Sequence, residues 1–216
     1  MNTIIISDVH LGSKYFLCEE FRSFLDSVPA GSTLVLNGDT VDYWHRTLPD
    51  EHREMLDLPK KVSLKTSVIW VRGNHDECYV LDEPAGIEIR PCYNLGKRLF
   101  ISHGYDFDNI MPKHRVFIVF FRFMHHLRIR LGAESVHVAF YAKKWRMLYN
   151  FLRKHVAMNA IEYARENGYE AVTCGHTHYV EDRVVDGIRY INTGSWTEKP
   201  NFYLSVNEKG MKLEKI

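Results

Sequence analysis

At 216 residues the chain has room for one substantial domain, and not for two independent ones. Apolar residues at 45% and charged residues at 25% are globular values, and a net charge of +1 excludes a whole-molecule field that would gather nucleic acid. Four scattered cysteines without CxxC pairing (Cys18, Cys78, Cys92, Cys174) exclude a disulfide framework and read as buried, reduced thiols.

The chain opens on a strand-like Thr3–Ser7 with no signal-like segment before it, and no run reaches the roughly 18 apolar residues of a membrane span. A cytoplasmic protein is the expectation. Further strands are predicted at Thr33–Asn37, Ser67–Arg72 and Arg98–Ser102, with helices at Cys18–Ser27 and around Glu51–Leu58. Strands alternating with helices predict a largely parallel sheet covered on both faces, an α/β core. Two long helices are then expected at 112–131 and 134–166, broken at Gly132-Ala133. Strands return at Glu170–Cys174, Tyr179–Val185, Ile188–Asn192, Phe202–Val206 and Met211–Glu214, with Asp186-Gly187 as a hairpin turn. The whole reads as one domain, 1–216, with a helical insertion at 106–166 capping the α/β core.

Five short clusters carry the chemistry: Asp8-Val9-His10, Gly38-Asp39-Thr40-Val41-Asp42, Gly73-Asn74-His75-Asp76, Ser102-His103-Gly104 and Gly175-His176-Thr177-His178. Four of them directly follow a predicted strand, and the carboxyl ends of strands form the ligand-binding edge of an open α/β sheet. A lone aspartate or histidine at such a place is commonly a turn residue or a helix cap. Five clusters in order, with seven metal-competent side chains, are another matter. Carboxylate, amide and imidazole donors suit manganese, iron or zinc, and seven are too many for one tetrahedral ion. Two divalent ions about 3.5–4 Å apart clamp a phosphoryl group and lower the pKa of a shared water towards 7.

On these residues the chain resembles the calcineurin-like metallophosphoesterase superfamily, whose pattern runs D-x-H, G-D, G-N-H-[DE], a lone His and G-H-x-H. The resemblance covers residues 8–178. It implies a four-layer α-β-β-α sandwich of two mixed sheets between helices, and a phosphoester hydrolase. It implies that Asp8, His10, Asp39 and His178 hold one metal. Asp39 would bridge to a second, completed by Asn74, His103 and His176, with manganese first among the candidates and iron or zinc as alternatives. It makes His75 the histidine that contacts phosphoryl oxygens and protonates the leaving group, and Asp42 the acid that orients it. Within the superfamily, Gly38-Asp-x-x-Asp-x-Trp44, the insertion between His103 and His176, and Asn192-Thr-Gly-Ser-Trp196 resemble the UDP-2,3-diacylglucosamine diphosphatase group. Those enzymes cleave a pyrophosphate in a lipid-linked nucleotide sugar. His75 stands where that group has arginine.

Residues 113–155 hold ten Lys/Arg against one acid, Glu134, a charge of +9; the remaining 18 basic and 26 acidic residues make −8. Aromatic and aliphatic residues interleave with these cations, at Val116–Met124 and at Phe140, Tyr141, Trp145, Leu148 and Phe151. One expectation is an amphipathic helical pair with a solvated charged face. The sharper one places substrate binding in residues 112–160, as a lipid-accommodating groove with a basic flank for phosphates or an anionic membrane surface. The expected partner is then a small phosphoester, lipid- or nucleotide-linked, with peripheral contact at the inner face of the cell membrane. Nucleic acid is disfavoured because the acidic core repels a long polyanion. Competing expectations are a serine/threonine protein phosphatase, a general phosphodiesterase, and a non-catalytic scaffold that uses the basic helices. Asp106 and Asp108 read equally as orienting acids or as turn and cap residues.

Overall fold

The computed structural model describes residues 2–42, 47–110, 115–133, 140 and 143–216, with 115–122 in backbone only. Eleven strands among these form two sheets. The first has the order β11(Gly210–Lys215)-β10(Phe202–Asn207)-β1(Thr3–Ile6)-β2(Thr33–Asn37)-β3(Ser67–Val71)-β4(Ile87–Arg90). The second has the order β5(Tyr93–Leu95)-β6(Leu99–Ile101)-β7(Ala171–Cys174)-β9(Ile188–Asn192)-β8(Glu181–Val185). β1 to β4 run parallel, while β10 joins β1 antiparallel. In the second sheet β7 is parallel to both neighbours, and β5 and β8 form antiparallel edges. Both sheets are therefore mixed, and the single largely parallel sheet expected from the element alternation is corrected to two.

Alternation along each strand explains the layering. Ile4, Ile6, Leu34, Leu36, Val68 and Trp70 point to one side, where they pack with Phe21, Phe24 and Leu25 of α1 (Cys18–Ser27) and Met55, Leu56 and Val62 of α2 (Asp50–Val62). The alternate residues Ile5, Val35, Ile69 and Val71 face Leu99, Ile101, Ala171 and Ile191 of the second sheet. The outer face of that sheet, with Phe100, Val172, Cys174 and Tyr190, is covered by Ala157, Ala160, Ile161 and Ala164 of α4 (Arg146–Glu166). Helix, sheet, sheet, helix is the four-layer sandwich. Strands buried on both faces have no polar side to show, which is why their sequences read as continuous apolar runs.

α2 runs past the expected Leu58 to Val62, with Pro59 inside it. Proline removes one backbone donor, yet Met55, Leu56, Pro59 and Val62 bury one common stripe, and that packing outweighs the lost bond. α3 spans Arg115–Arg130 within the expected 112–131. The expected helix 134–166 is corrected: α4 begins at Arg146, after a turn at residues 143–145, and residues 134–139 and 141–142 lie outside the described ones. Strands β4 and β5 were not expected. Of the cysteines, all free, only Cys174 is buried and Cys78 is exposed, which corrects the expectation of buried thiols. Among the described residues no helix is long and apolar enough to cross a membrane.

Candidate metal centre

The loops after β1, β2, β3, β6 and β7 meet at one rim, the carboxyl ends of their strands. β1 sits where parallel neighbours give way to an antiparallel one, the kind of place at which open sheets leave a crevice. The first two loops are zipped together: Asp8 N–H donates to Gly38 O (3.1 Å), His10 N–H to Asp39 O (2.9 Å) and Asp42 N–H to Leu11 O (2.8 Å).

Eight non-glycine residues have positive φ among those described, and five of them are Asp8 (55°), His10 (56°), Asp39 (50°), His176 (61°) and His178 (53°). Left-handed backbone costs an L-residue free energy and persists only where the surroundings enforce it. Here it turns five polar side chains inward together. Asp8, His10, Asp39 and His103 are each at most 2% exposed.

His10, His178 and Asp8 converge tightly. His10 Nε2 lies 3.1 Å from His178 Nε2, and Asp8 Oδ1 lies 3.2 Å from His178 Nε2 and 3.9 Å from His10 Nε2. Donors held about 2.0–2.2 Å from one ion are roughly 3–3.5 Å apart, so these spacings fit a shared cation. Asp39 Oδ2 lies 3.2 Å from His103 Nε2, 3.9 Å from His75 Nε2 and 4.0 Å from His10 Nε2. Donor atoms of Asp8, Asp39 and His103 form a second compact group, and those of His10, Asp39 and His75 a third. Asn74 and His176 stand beside these groups and face each other, with His176 Nδ1 at 3.0 Å from Asn74 Oδ1. His176 is tied in through its backbone N–H, which donates to Asp8 Oδ1 at 3.1 Å.

Ring partners fix which nitrogen faces the cluster. His10 Nδ1–H donates to Asp42 Oδ1 (2.9 Å), and His103 Nδ1–H donates to Asn37 O (3.0 Å). Both rings thus turn Nε2 towards the carboxylates. Among the described residues the buried His103 Nε2 meets the carboxylate of Asp39, 3.2 Å away and poorly aligned for a hydrogen bond, and has no other hydrogen-bond partner. Such a nitrogen beside two carboxylates is what a divalent cation would satisfy, and the donor set fits manganese, iron or zinc.

The charges are mutually dependent. Burial penalises Asp39, yet the imidazoles of His103, His75 and His10 hold its carboxyl well below the usual range. Asp8 is lowered too, with burial overcome by His178 and His103. Burial pushes His178 down to about 4, so its ring is neutral, as a metal ligand must be. Burial also opposes charge on His103 and His75. Asp39 with Asp8 and the Asn37 carbonyl on His103, and Asp39 with Asp42 on His75, together outweigh it and raise them to about 10 and about 9. A cation bound at His103 would therefore displace its Nε2 proton.

His75 Nδ1–H donates to Asp42 O at 2.5 Å and lies 3.3 Å from Asp42 Oδ1, while its Nε2 faces Asp39. Asp42 therefore serves two rings, His10 as well as His75, where the family resemblance implied only the second. Asp76 is a brace: its Oδ2 accepts from Thr40 N–H (2.7 Å) and Trp70 Nε1–H (3.0 Å), and its Oδ1 from Gly73 N–H (2.7 Å).

Two glycines in the motifs have a direct steric reason. A Cβ on Gly73 would lie 2.2 Å from Asp39 Oδ1, and one on Gly175 would lie 2.2 Å from Asp8 Oδ2. Gly175→Ala is thus expected to drive Asp8 out of place and lower bound divalent metal well below wild type, read by elemental analysis of the folded protein. Unchanged metal content would contradict this placement.

Asn192-Thr-Gly-Ser-Trp196 lies beneath the site. Asn192 Nδ2–H donates to Gly175 O (2.7 Å), Trp196 N–H donates to Asp8 O (2.9 Å), and the Trp196 ring is buried against Phe21 and Phe24. The insertion reaches the same rim. Lys143 pairs with Glu198, Tyr149 donates to Thr177 O, and Arg153 stacks on Tyr179 at 4.1 Å while bonding Glu181 at 2.7 Å. Tyr43 and Trp44 lie outside the described residues. Asp108 is the site residue that the sequence left undecided; it is buried, with Oδ2 at 3.0 Å from His176 Nε2.

In comparisons with known proteins, residues 1–180 match the family described as calcineurin-like phosphoesterase. No curated protein sequence matches significantly. Solved structures are similar at low identity. Vacuolar protein sorting 29 from Cryptosporidium parvum is 13% identical, with TM-score 0.51, covering 100% of this chain and 96% of that one. An archaeal phosphodiesterase is 16% identical, with TM-score 0.50 and 100% of both chains covered. The phosphoesterase Yfce from E. coli is 18% identical, with TM-score 0.47, covering 96% and 89%.

Proposed function

The chain belongs to the calcineurin-like phosphoesterase family and is a metal-dependent phosphoesterase, and we propose that it hydrolyses a phosphoester or pyrophosphate bond in a substrate with an apolar tail. The observation that carries this reading is the convergence of Asp8, His10, Asp39, His103 and His178, with Asn74 and His176 alongside, where Asp8, His10, Asp39, His176 and His178 hold left-handed backbone that the surrounding structure enforces. We assign Asp8, His10, Asp39 and His178 to one cation and Asp39, Asn74, His103 and His176 to the other. The two ions, when bound, supply Lewis acidity at phosphorus and acidify water.

The chain's own residues do the rest. His75, protonated through its carboxylate neighbours, binds a phosphoryl oxygen and delivers the proton that the leaving oxygen needs. Asp42 fixes that ring by its backbone carbonyl and carboxylate and holds His10 in the ligating tautomer. Asp76 keeps the β2 and β3 loops in register, so that Asp39 and Asn74 stay adjacent.

The insertion supports the apolar tail. Phe123, Leu131, Met147 and Phe151 are 63%, 79%, 90% and 60% exposed, and a groove of about 270 Å³ is lined by Met124, Leu127, Arg128, Leu131 and Ala133. Lys144, Arg146 and Lys154 are exposed on the same segment and suit an anionic headgroup. A lipid-linked pyrophosphate of the UDP-2,3-diacylglucosamine kind combines these features. Trp196, buried in the core, contributes to that resemblance as a brace rather than a substrate contact.

Turnover of bis-p-nitrophenyl phosphate, p-nitrophenyl phosphate and a lipid-linked UDP-sugar separates diesterase, monoesterase and pyrophosphatase activity. Leu131→Asp is expected to raise KM for the lipid-linked substrate by about 10–100-fold, the worth of one buried leucine, and to leave the chromogenic esters unchanged. Equal effects on both would remove the tail from this reading. No turnover of any ester by the manganese-loaded chain would favour the scaffold reading.

A further inference from the structure

Asp108, like the brace Asp76, is a buried carboxylate that neither the ligand set nor the His75–Asp42 pair uses. It closes the 3-10 turn Tyr105–Phe107 that follows His103-Gly104, its own N–H donating to Tyr105 O at 3.0 Å. Oδ1 accepts from Ile110 N–H at 3.0 Å, which is all that a turn requires of it. Oδ2 is directed elsewhere, to His176 Nε2 at 3.0 Å. The turn is held from outside as well, because Asn159 of α4 donates Nδ2–H to Phe107 O at 2.8 Å.

The opposite edge of the His176 ring completes the case. Its Nδ1 faces Asn74 Oδ1 at 3.0 Å, the separation expected of two ligands on one cation. A neutral imidazole presents a lone pair at Nδ1 only if its proton sits on Nε2, and that N–H then needs a buried acceptor. Asp108 Oδ2 is that acceptor, so a carboxylate, an imidazole and a cation site lie in line.

We infer that Asp108 is the positioning residue for His176, holding the tautomer and ring orientation that complete the second cation site together with Asn74. This rests on the dinuclear reading above. It also joins the insertion to the metal centre, since α4 braces the turn that carries Asp108.

The test is a manganese titration of the metal-free full-length protein by calorimetry, with electron paramagnetic resonance at two equivalents per chain. Wild type is expected to bind both equivalents and give the spectrum of an exchange-coupled pair. Asp108→Ala should bind one equivalent as wild type and the other about 10–100-fold more weakly. Its spectrum at two equivalents should be that of isolated Mn(II). Asp108→Asn keeps the turn and an oxygen acceptor, so it should fold as wild type and weaken the second equivalent less than alanine does. Wild-type affinity for both equivalents in both variants would overturn the proposal, as would equal weakening of both in the folded Asn variant. A wild-type chain that takes up less than one equivalent would overturn the dinuclear reading itself, a distinct result.

Discussion

Asp39→Ala is expected to lower turnover by about 10³–10⁵-fold and to reduce bound manganese from two equivalents per chain to at most one. Asp39 lies within reach of both halves of the site, with Oδ2 near His103, His75 and His10 and Oδ1 accepting the His75 backbone N–H at 2.8 Å. On the proposed assignment, its removal takes a ligand from each cation. It also leaves three imidazoles facing one another without their shared counter-charge, which disfavours a cation as well. Losing the charge stabilisation of one metal costs several kcal/mol in the transition state, and each 1.4 kcal/mol is tenfold in rate. Asp39→Asn keeps the acceptor for His75 N–H and should retain the fold, so a loss of metal in that variant is not a folding artefact. Turnover within tenfold of wild type in either variant would refute the bridging assignment.

His75→Ala is expected to lower kcat by roughly 10²–10⁴-fold, the usual worth of a positioned proton donor, while both cations stay bound. The side chain is held by Asp42 and points Nε2 at the cluster, yet the donor atoms of Asp8, His10 and His178 are grouped without it. The loss should be greater for esters with poor leaving groups than for p-nitrophenyl esters, whose phenolate departs without a proton. Loss of one cation in His75→Ala would make the ring a ligand, an outcome the His10, Asp39 and His75 grouping makes worth measuring.

The parts of this architecture that were legible in the sequence are those with a local cause. β1, β2 and β3 are buried on both faces, so their apolar runs stood out, and Asp186-Gly187 announced its hairpin through positive φ at both positions. The seven proposed ligands were legible because each sits in a short motif directly after a strand. β4 and β5 were not, because short strands with exposed Glu88, Arg90 and Asn94 lack an apolar run. The start of α4 was hidden by helix-compatible residues before Arg146. Asp108 was ambiguous for a deeper reason. An aspartate in a turn looks the same whether its second oxygen meets solvent or a histidine 68 positions away, and only the fold decides. The second role of Asp42, on His10, was hidden in the same way, since that partner is 32 positions upstream.

The most direct measurement is an anomalous difference map at the manganese edge from crystals of the manganese-loaded protein. Two peaks are predicted, one contacted by Asp8, His10 and His178, the other by Asn74, His103 and His176, with Asp39 touching both. A single peak, or peaks away from these side chains, would contradict a dinuclear centre at this rim.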